Sequence, residues 1–144
     1  MGTRSLTVIY DEENAPICTM YRQMDGYPSG HGKELAETLD GLVLTNGVTN
    51  IEHSANGMNC LAAMLFRVFK IEPGGIYLFH PDTKNIGEEF VYEVYFIQKP
   101  YTKDTELKLV VKRATSYEGY QTEQIFSGTM KEFLNTYKKL EEDA

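Results

Sequence analysis

The run Glu88-Glu89-Phe90-Val91-Tyr92-Glu93-Val94-Tyr95-Phe96-Ile97-Gln98 decides how the chain is read. Taken with period two, Phe90, Tyr92, Val94 and Phe96 fall on one side, and Val91, Tyr95 and Ile97 on the other. A strand apolar on both sides belongs in the middle of a sheet, with both faces covered. Glu93 is the exception to explain, a carboxylate in the centre of that strand.

Working outward, Thr105 to Arg113 predicts the next strand, with Leu107, Leu109 and Val111 opposite Lys108, Val110 and Lys112. Tyr120 to Phe126 extends the series. Thr129 with Glu132 three residues on predicts a capping box for a C-terminal helix whose stripe is Phe133, Leu134, Tyr137 and Leu140. Glu141-Glu142-Asp143 reads as a solvated acidic tail. Upstream, Ile76 to His80 is a short strand. Asn56 to about Lys70 is the strongest internal helix, with Leu61, Ala62, Leu65, Val68 and Phe69 on one broad face and Asn56 as its expected cap. Leu42 to Ser54 reads as irregular, with turn signals at Asn46-Gly47 and Asn50.

At the N-terminal end, Arg4 to Tyr10 and Ala15 to Arg22 flank the polar turn Asp11-Glu12-Glu13-Asn14 and read as a hairpin. A helix from about Gly32 to Leu39 follows, ended by Asp40-Gly41. Short polar connections between strands favour antiparallel pairing over parallel crossovers. The fold class is therefore α+β: a single domain with a mostly antiparallel sheet of five or six strands packed against two or three helices.

Composition narrows the function classes. The chain has 144 residues, 14 Lys and Arg against 21 Asp and Glu, and a formal charge of -7. No Lys/Arg-rich block is present, which disfavours binding to bulk nucleic acid. Cys18 and Cys60 lack metal or redox spacing and read as buried free thiols. His31, His53 and His80 show no local metal-ligand spacing, so neither a metal nor another cofactor is expected. With no apolar run of signal-peptide or membrane-spanning length, a cytoplasmic protein is the expectation.

The segment most charged with functional promise is Arg22-Gln23-Met24-Asp25-Gly26-Tyr27-Pro28-Ser29-Gly30-His31-Gly32, between a strand and a helix start. Glycines allow close backbone approach, and free helix-start amides suit a phosphate or carboxylate. In a binding reading, Arg4 and Arg22 contribute guanidinium groups, Tyr27 stacks, and Asp25, Gly26, Ser29, Gly30, His31 and Gly32 surround the ligand. In a catalytic reading, His31 is the general acid/base, Asp25 orients it and Arg22 steadies negative charge. The plain alternative is a pair of tight turns with Ser29 as a helix cap and His31 exposed. The segment His53-Ser54-Ala55-Asn56-Gly57-Met58-Asn59 also opens a helix, so Asn56 and Asn59 join the site if the two loops converge on one pocket.

The opening Met1-Gly2-Thr3-Arg4-Ser5-Leu6-Thr7, followed by Met20-Tyr21-Arg22-Gln23-Met24-Asp25-Gly26-Tyr27-Pro28-Ser29-Gly30-His31-Gly32, resembles small proteins of unassigned function from bacteria and their phages. A weaker echo lies at Asn56-Gly57. The resemblance carries no ligand residues or activity with it. Its setting implies a host-interaction or anti-defence role. The leading expectation is a binding protein that captures an anionic small molecule, for instance a nucleotide signal of host immunity. A small hydrolase, lyase or phosphodiesterase using His31, and a host protein-interaction factor, are the alternatives. Self-association is expected in all three, since a small sheet with an open edge is readily closed by a symmetric partner.

Overall fold

The computed structural model describes residues 2–45, 52–98, 105–116 and 118–142. Its strands are β1 (Ser5–Tyr10), β2 (Pro16–Arg22), β3 (Val43–Thr45), β4 (Ser54–Asn56), β5 (Ile76–Phe79), β6 (Phe90–Gln98), β7 (Thr105–Thr115) and β8 (Gln121–Gly128). The helices are α1 (Lys33–Leu39), α2 (Gly57–Phe69) and α3 (Met130–Glu142), and a π-helical turn, Pro28–Gly32, leads into α1. Helical backbone thus begins at Pro28, four residues ahead of the expected start near Gly32. The expected turn signals at Asn46-Gly47 and Asn50 lie outside the described residues.

Six strands form one sheet in the order β5-β2-β1-β6-β7-β8. The fold is mixed α+β, a mostly antiparallel sheet packed against three helices. As the alternation of Phe90–Gln98 requires, β6 is internal. Phe90, Tyr92, Val94 and Phe96 enter the main core with Ile9, Met20, Leu109 and Val111 beneath the helices. Val91 joins a smaller cluster with Leu6, Val8 and Ala114 on the other face, to which none of the described helices contributes. The reciprocal capping box forms: Thr129 N–H donates to Glu132 at 2.9 Å, and Glu132 N–H to the Thr129 hydroxyl at 3.1 Å. None of the described helices is long and apolar enough to cross a membrane.

Three expectations are corrected. The sheet is mostly antiparallel as expected, but the inference from short connections to antiparallel pairing fails at its centre, where β1 pairs parallel with β6. Strand β5 pairs antiparallel with β2, so the chain must cross two strands to reach β6. A loop, residues 80–89, makes that crossover without a helix, and Thr19 Oγ1 ties it down by donating to the Pro81 carbonyl at 3.2 Å. Second, the region read as irregular holds a short parallel ladder between β3 and β4. Third, Asn56 makes no side-chain cap to α2. The Met58 N–H donates instead to the Glu12 carboxylate at 3.0 Å, from the β1–β2 turn. Gly57 has φ of +81°, and a Cβ there would stand 2.9 Å from that carboxylate, so the glycine admits the distant cap.

Candidate functional site

The Gly26–Gly32 loop spends its backbone donors internally. Gly26 N–H donates to Thr3 O at 2.7 Å, Gly30 N–H to Tyr27 O at 2.9 Å, and His31 N–H to Asp25 O at 2.7 Å. The Ser29 amide meets a carboxylate, as its helix-start position suggested, but that carboxylate is Glu141 from α3. Glu141 is therefore half-buried against the loop, not part of a solvated tail. The Ser29 side chain is not the cap. Tyr92, from the central strand, donates its hydroxyl to Gly26 O at 2.7 Å. Gly32 is where the packing is tightest: a Cβ would lie 2.8 Å from the Phe133 ring and 3.0 Å from Tyr92.

His31 is fully buried. Its Nε2 lies 2.6 Å from Thr7 Oγ1 and its Nδ1 lies 3.1 Å from Arg22 Nη1. A guanidinium has no lone pair to offer, so Nδ1 accepts from Arg22 and Nε2 carries the proton toward Thr7. Burial, and then the Arg22 charge, hold the imidazole down to about 3. The ring is neutral at physiological pH, and its one lone pair is occupied. Arg22 is similarly engaged: Nε donates to Met24 O at 2.7 Å, Nη1 also reaches Glu34, and the guanidinium lies 5.6 Å from the Phe69 ring centroid.

Asp25 is exposed, and Tyr27 is half-buried against the core. The Asp25 charge is the main cause of a raised Tyr27 phenol. Arg4 lies at the same end of the sheet as Arg22 but is placed against Gly87. The two helix-start loops do not meet. Phe69, at the far end of α2, is the residue that reaches His31, with ring centroids 5.3 Å apart. Helix α2 has 13 residues, and a rise of about 1.5 Å per residue puts Asn56 roughly 20 Å and Asn59 roughly 15 Å from Phe69, toward the β1–β2 turn. The two loops therefore share no pocket, and the bonds and ring contacts around His31 make it a core junction between the sheet and the helices.

The open face of the sheet holds a different constellation. A cavity of about 530 Å³ lies between the crossover loop and the sheet, floored by Leu6, Val8 and Val91. Tyr10, Glu93, Lys112 and Tyr120 supply polar groups to its wall, and Asp82, Thr83 and Lys84 come from the loop. A second hollow of about 350 Å³ shares Glu93 and Lys112 with it. Between the two, Tyr10 and Tyr95 stack with centroids 4.3 Å apart. Tyr95 donates to Glu93 Oε1 at 3.0 Å and Tyr10 to Oε2 at 3.3 Å, while Lys112 Nζ lies 3.2 Å from Oε1. The buried carboxylate is thus paired and hydrogen-bonded, as its position in an apolar strand demands. Burial raises both phenols, Tyr10 and Tyr95, and the Glu93 charge adds to it. Both stay protonated at neutral pH.

The crossover wall is itself anchored. Glu88, also buried, accepts from Asn85 N–H at 2.9 Å, Ile86 N–H at 2.8 Å and the Tyr120 hydroxyl at 2.6 Å. Among the described residues, no group of three or more His, Cys, Asp and Glu is placed to hold a metal ion. Sequence reasoning flagged Glu93 as anomalous but had no way to bring Tyr10 to it, 83 residues distant. The usable signal was the alternation itself, which puts Glu93 and Tyr95 on one face of their strand and Lys112 on the face of β7 opposite Leu109 and Val111. Comparison with known proteins gives no matching family model, no similar curated protein and no similar solved structure.

Proposed function

We propose that this chain is a non-enzymatic binding protein for an anionic small molecule of the nucleotide class, and that the ligand occupies the open-face cavity. The observation that carries this reading is the cavity's construction: an apolar floor, a tyrosine wall and two lysines in about 530 Å³, a size suited to a small ligand. A flat ring fits against Leu6, Val8 and the Tyr10 ring. Lys84 and the ammonium hydrogens that Lys112 does not give to Glu93 favour a negatively charged group, and Thr83 and Thr122 offer hydroxyls. The residues nearest the ligand are poor catalysts, because the phenols are held protonated and Glu93 is fully engaged. A hydrolase built on His31 is disfavoured for the same kind of reason: the ring is buried and its lone pair is taken. The resemblance to bacterial and phage proteins supports a biological setting in which such capture sequesters a nucleotide signal of host immunity.

The test is calorimetry and thermal shift with linear and cyclic nucleotides, nucleosides and inorganic phosphate. A ligand at a hundred times its Kd stabilises the fold by about 2.7 kcal/mol, which is roughly 5–10 °C for a domain of this size. Val8→Trp, which fills the cavity, abolishes the shift, and Lys84→Glu weakens binding of charged ligands more than of nucleosides. Absence of heat and of stabilisation across the panel overturns the proposal, as does undiminished binding to Val8→Trp.

A further inference from the structure

The two edges of the sheet differ sharply. On β8, Gln121, Thr122, Glu123 and Gln124 are all exposed and polar. On β5, Tyr77, Leu78 and Phe79 are 42%, 67% and 40% exposed. An apolar edge strand offers both side chains and unpaired backbone groups to another strand.

The hydrogen-bond parity of β5 is fixed by one contact. Gln23 N–H donates to Gly75 O at 3.0 Å, so Gly75, Tyr77 and Phe79 direct their backbone groups inward to β2, and Ile76 and Leu78 direct theirs outward. The Ile76 groups are already engaged: its N–H donates to Gly74 O at 2.8 Å, and its carbonyl accepts from Lys70 Nζ at 2.8 Å. Leu78 is left at the centre of the edge with its N–H and carbonyl facing out.

We infer that β5 is the two-fold interface of a homodimer, in which β5 of a second copy adds antiparallel with Leu78 opposite Leu78. A two-fold axis perpendicular to a continuous sheet requires paired residues of the same face, and pairing centred on Leu78 meets that condition. It sets Tyr77 against the partner's Phe79 twice, on the face where both rings already pack on Tyr21. It also sets Ile76 opposite the partner's His80, which brings the partner's Asp82 toward Lys70. The charges are complementary. Asp82 is 82% exposed and only loosely paired with its own His80, at 3.7 Å. Each copy contributes the same cation and the same carboxylate, so the contact occurs twice, as an isologous interface demands. A four-residue strand buries less than the area of a standard stable interface, so association is concentration-dependent.

Sedimentation velocity and light scattering over a range of concentrations test this without any ligand, independently of the cavity. The expected mass rises from 16.4 kDa toward twice that value. Leu78→Lys holds the protein monomeric while its circular dichroism and Tm stay near wild type. Glu123→Lys, on the other edge, leaves association unchanged. Lys70→Asp weakens association, and adding Asp82→Lys restores it. A mass that stays at 16.4 kDa throughout overturns the inference, and so does self-association that survives Leu78→Lys.

Discussion

The state of His31 yields a prediction with both sign and size. The folded imidazole titrates at about 3, against an ordinary value of 6.5. Above 6.5 the ring is neutral in both folded and unfolded chains and contributes no pH dependence. Below it, the unfolded chain takes up a proton that the folded one refuses, so stability falls with pH until the folded value is reached. Each pH unit in that window is worth about 1.4 kcal/mol. Between pH 7.5 and pH 5, the only active stretch is the 1.5 units or so below 6.5, a loss of about 2 kcal/mol. Carboxylates add their own pH dependence, but a His31→Gln variant shares it. Urea unfolding of both proteins at the two pH values therefore isolates the histidine: wild type loses about 2 kcal/mol more than the variant on acidification. A direct check follows the His31 ring by NMR in the wild type, where no titration is expected between pH 5 and 8. Equal losses in the two proteins, or a ring that titrates near 6.5, would refute the assignment of a neutral, arginine-bonded imidazole.

Three further outcomes follow from the packing. Gly32→Ala, which drives a methyl against Phe133 and Tyr92, lowers stability by about 1–3 kcal/mol in chemical denaturation. Glu12→Gln keeps an oxygen for the Met58 amide but removes the charge at the start of α2, and costs about 0.5–1 kcal/mol at low salt, less when salt is raised. Lys112→Met alone is more destabilising than Glu93→Gln combined with Lys112→Met, because the single change leaves a mostly buried carboxylate without its cation; a double-mutant cycle by thermal unfolding measures the difference.

Period-two alternation was enough to place β6 inside the sheet, to divide its residues between the two faces and to isolate Glu93. The Thr129–Glu132 box was also legible, because both partners lie within one turn of helix. What local pattern does not carry is the identity of distant partners. The cap of α2 comes from Glu12, 46 residues away, while the adjacent Asn56 has the residue type expected of a cap and does not serve as one. The parallel β1–β6 pair was missed for a related reason. Short connections argue for hairpins, but the loop of residues 80–89 crosses the face of the sheet because its strands are already separated by β2 and β1.

That crossover links the missed topology to the open-face cavity, the candidate site that the sequence did not reveal. A helical crossover would have covered the open face with a second apolar layer, and Glu93 would have had no aqueous border. A bare loop anchored by Thr19 and Glu88 stands away from the strands instead, and leaves a hollow whose floor is apolar and whose wall can carry charge. The glycine-rich loop is the converse. Its composition suits close approach, and close approach is what occurs, but by Tyr92, Phe133 and Glu141 of the same chain. Glycine and helix-start amides in a sequence therefore specify that something comes near the backbone; only the fold determines whether that something is a ligand or the protein's own core.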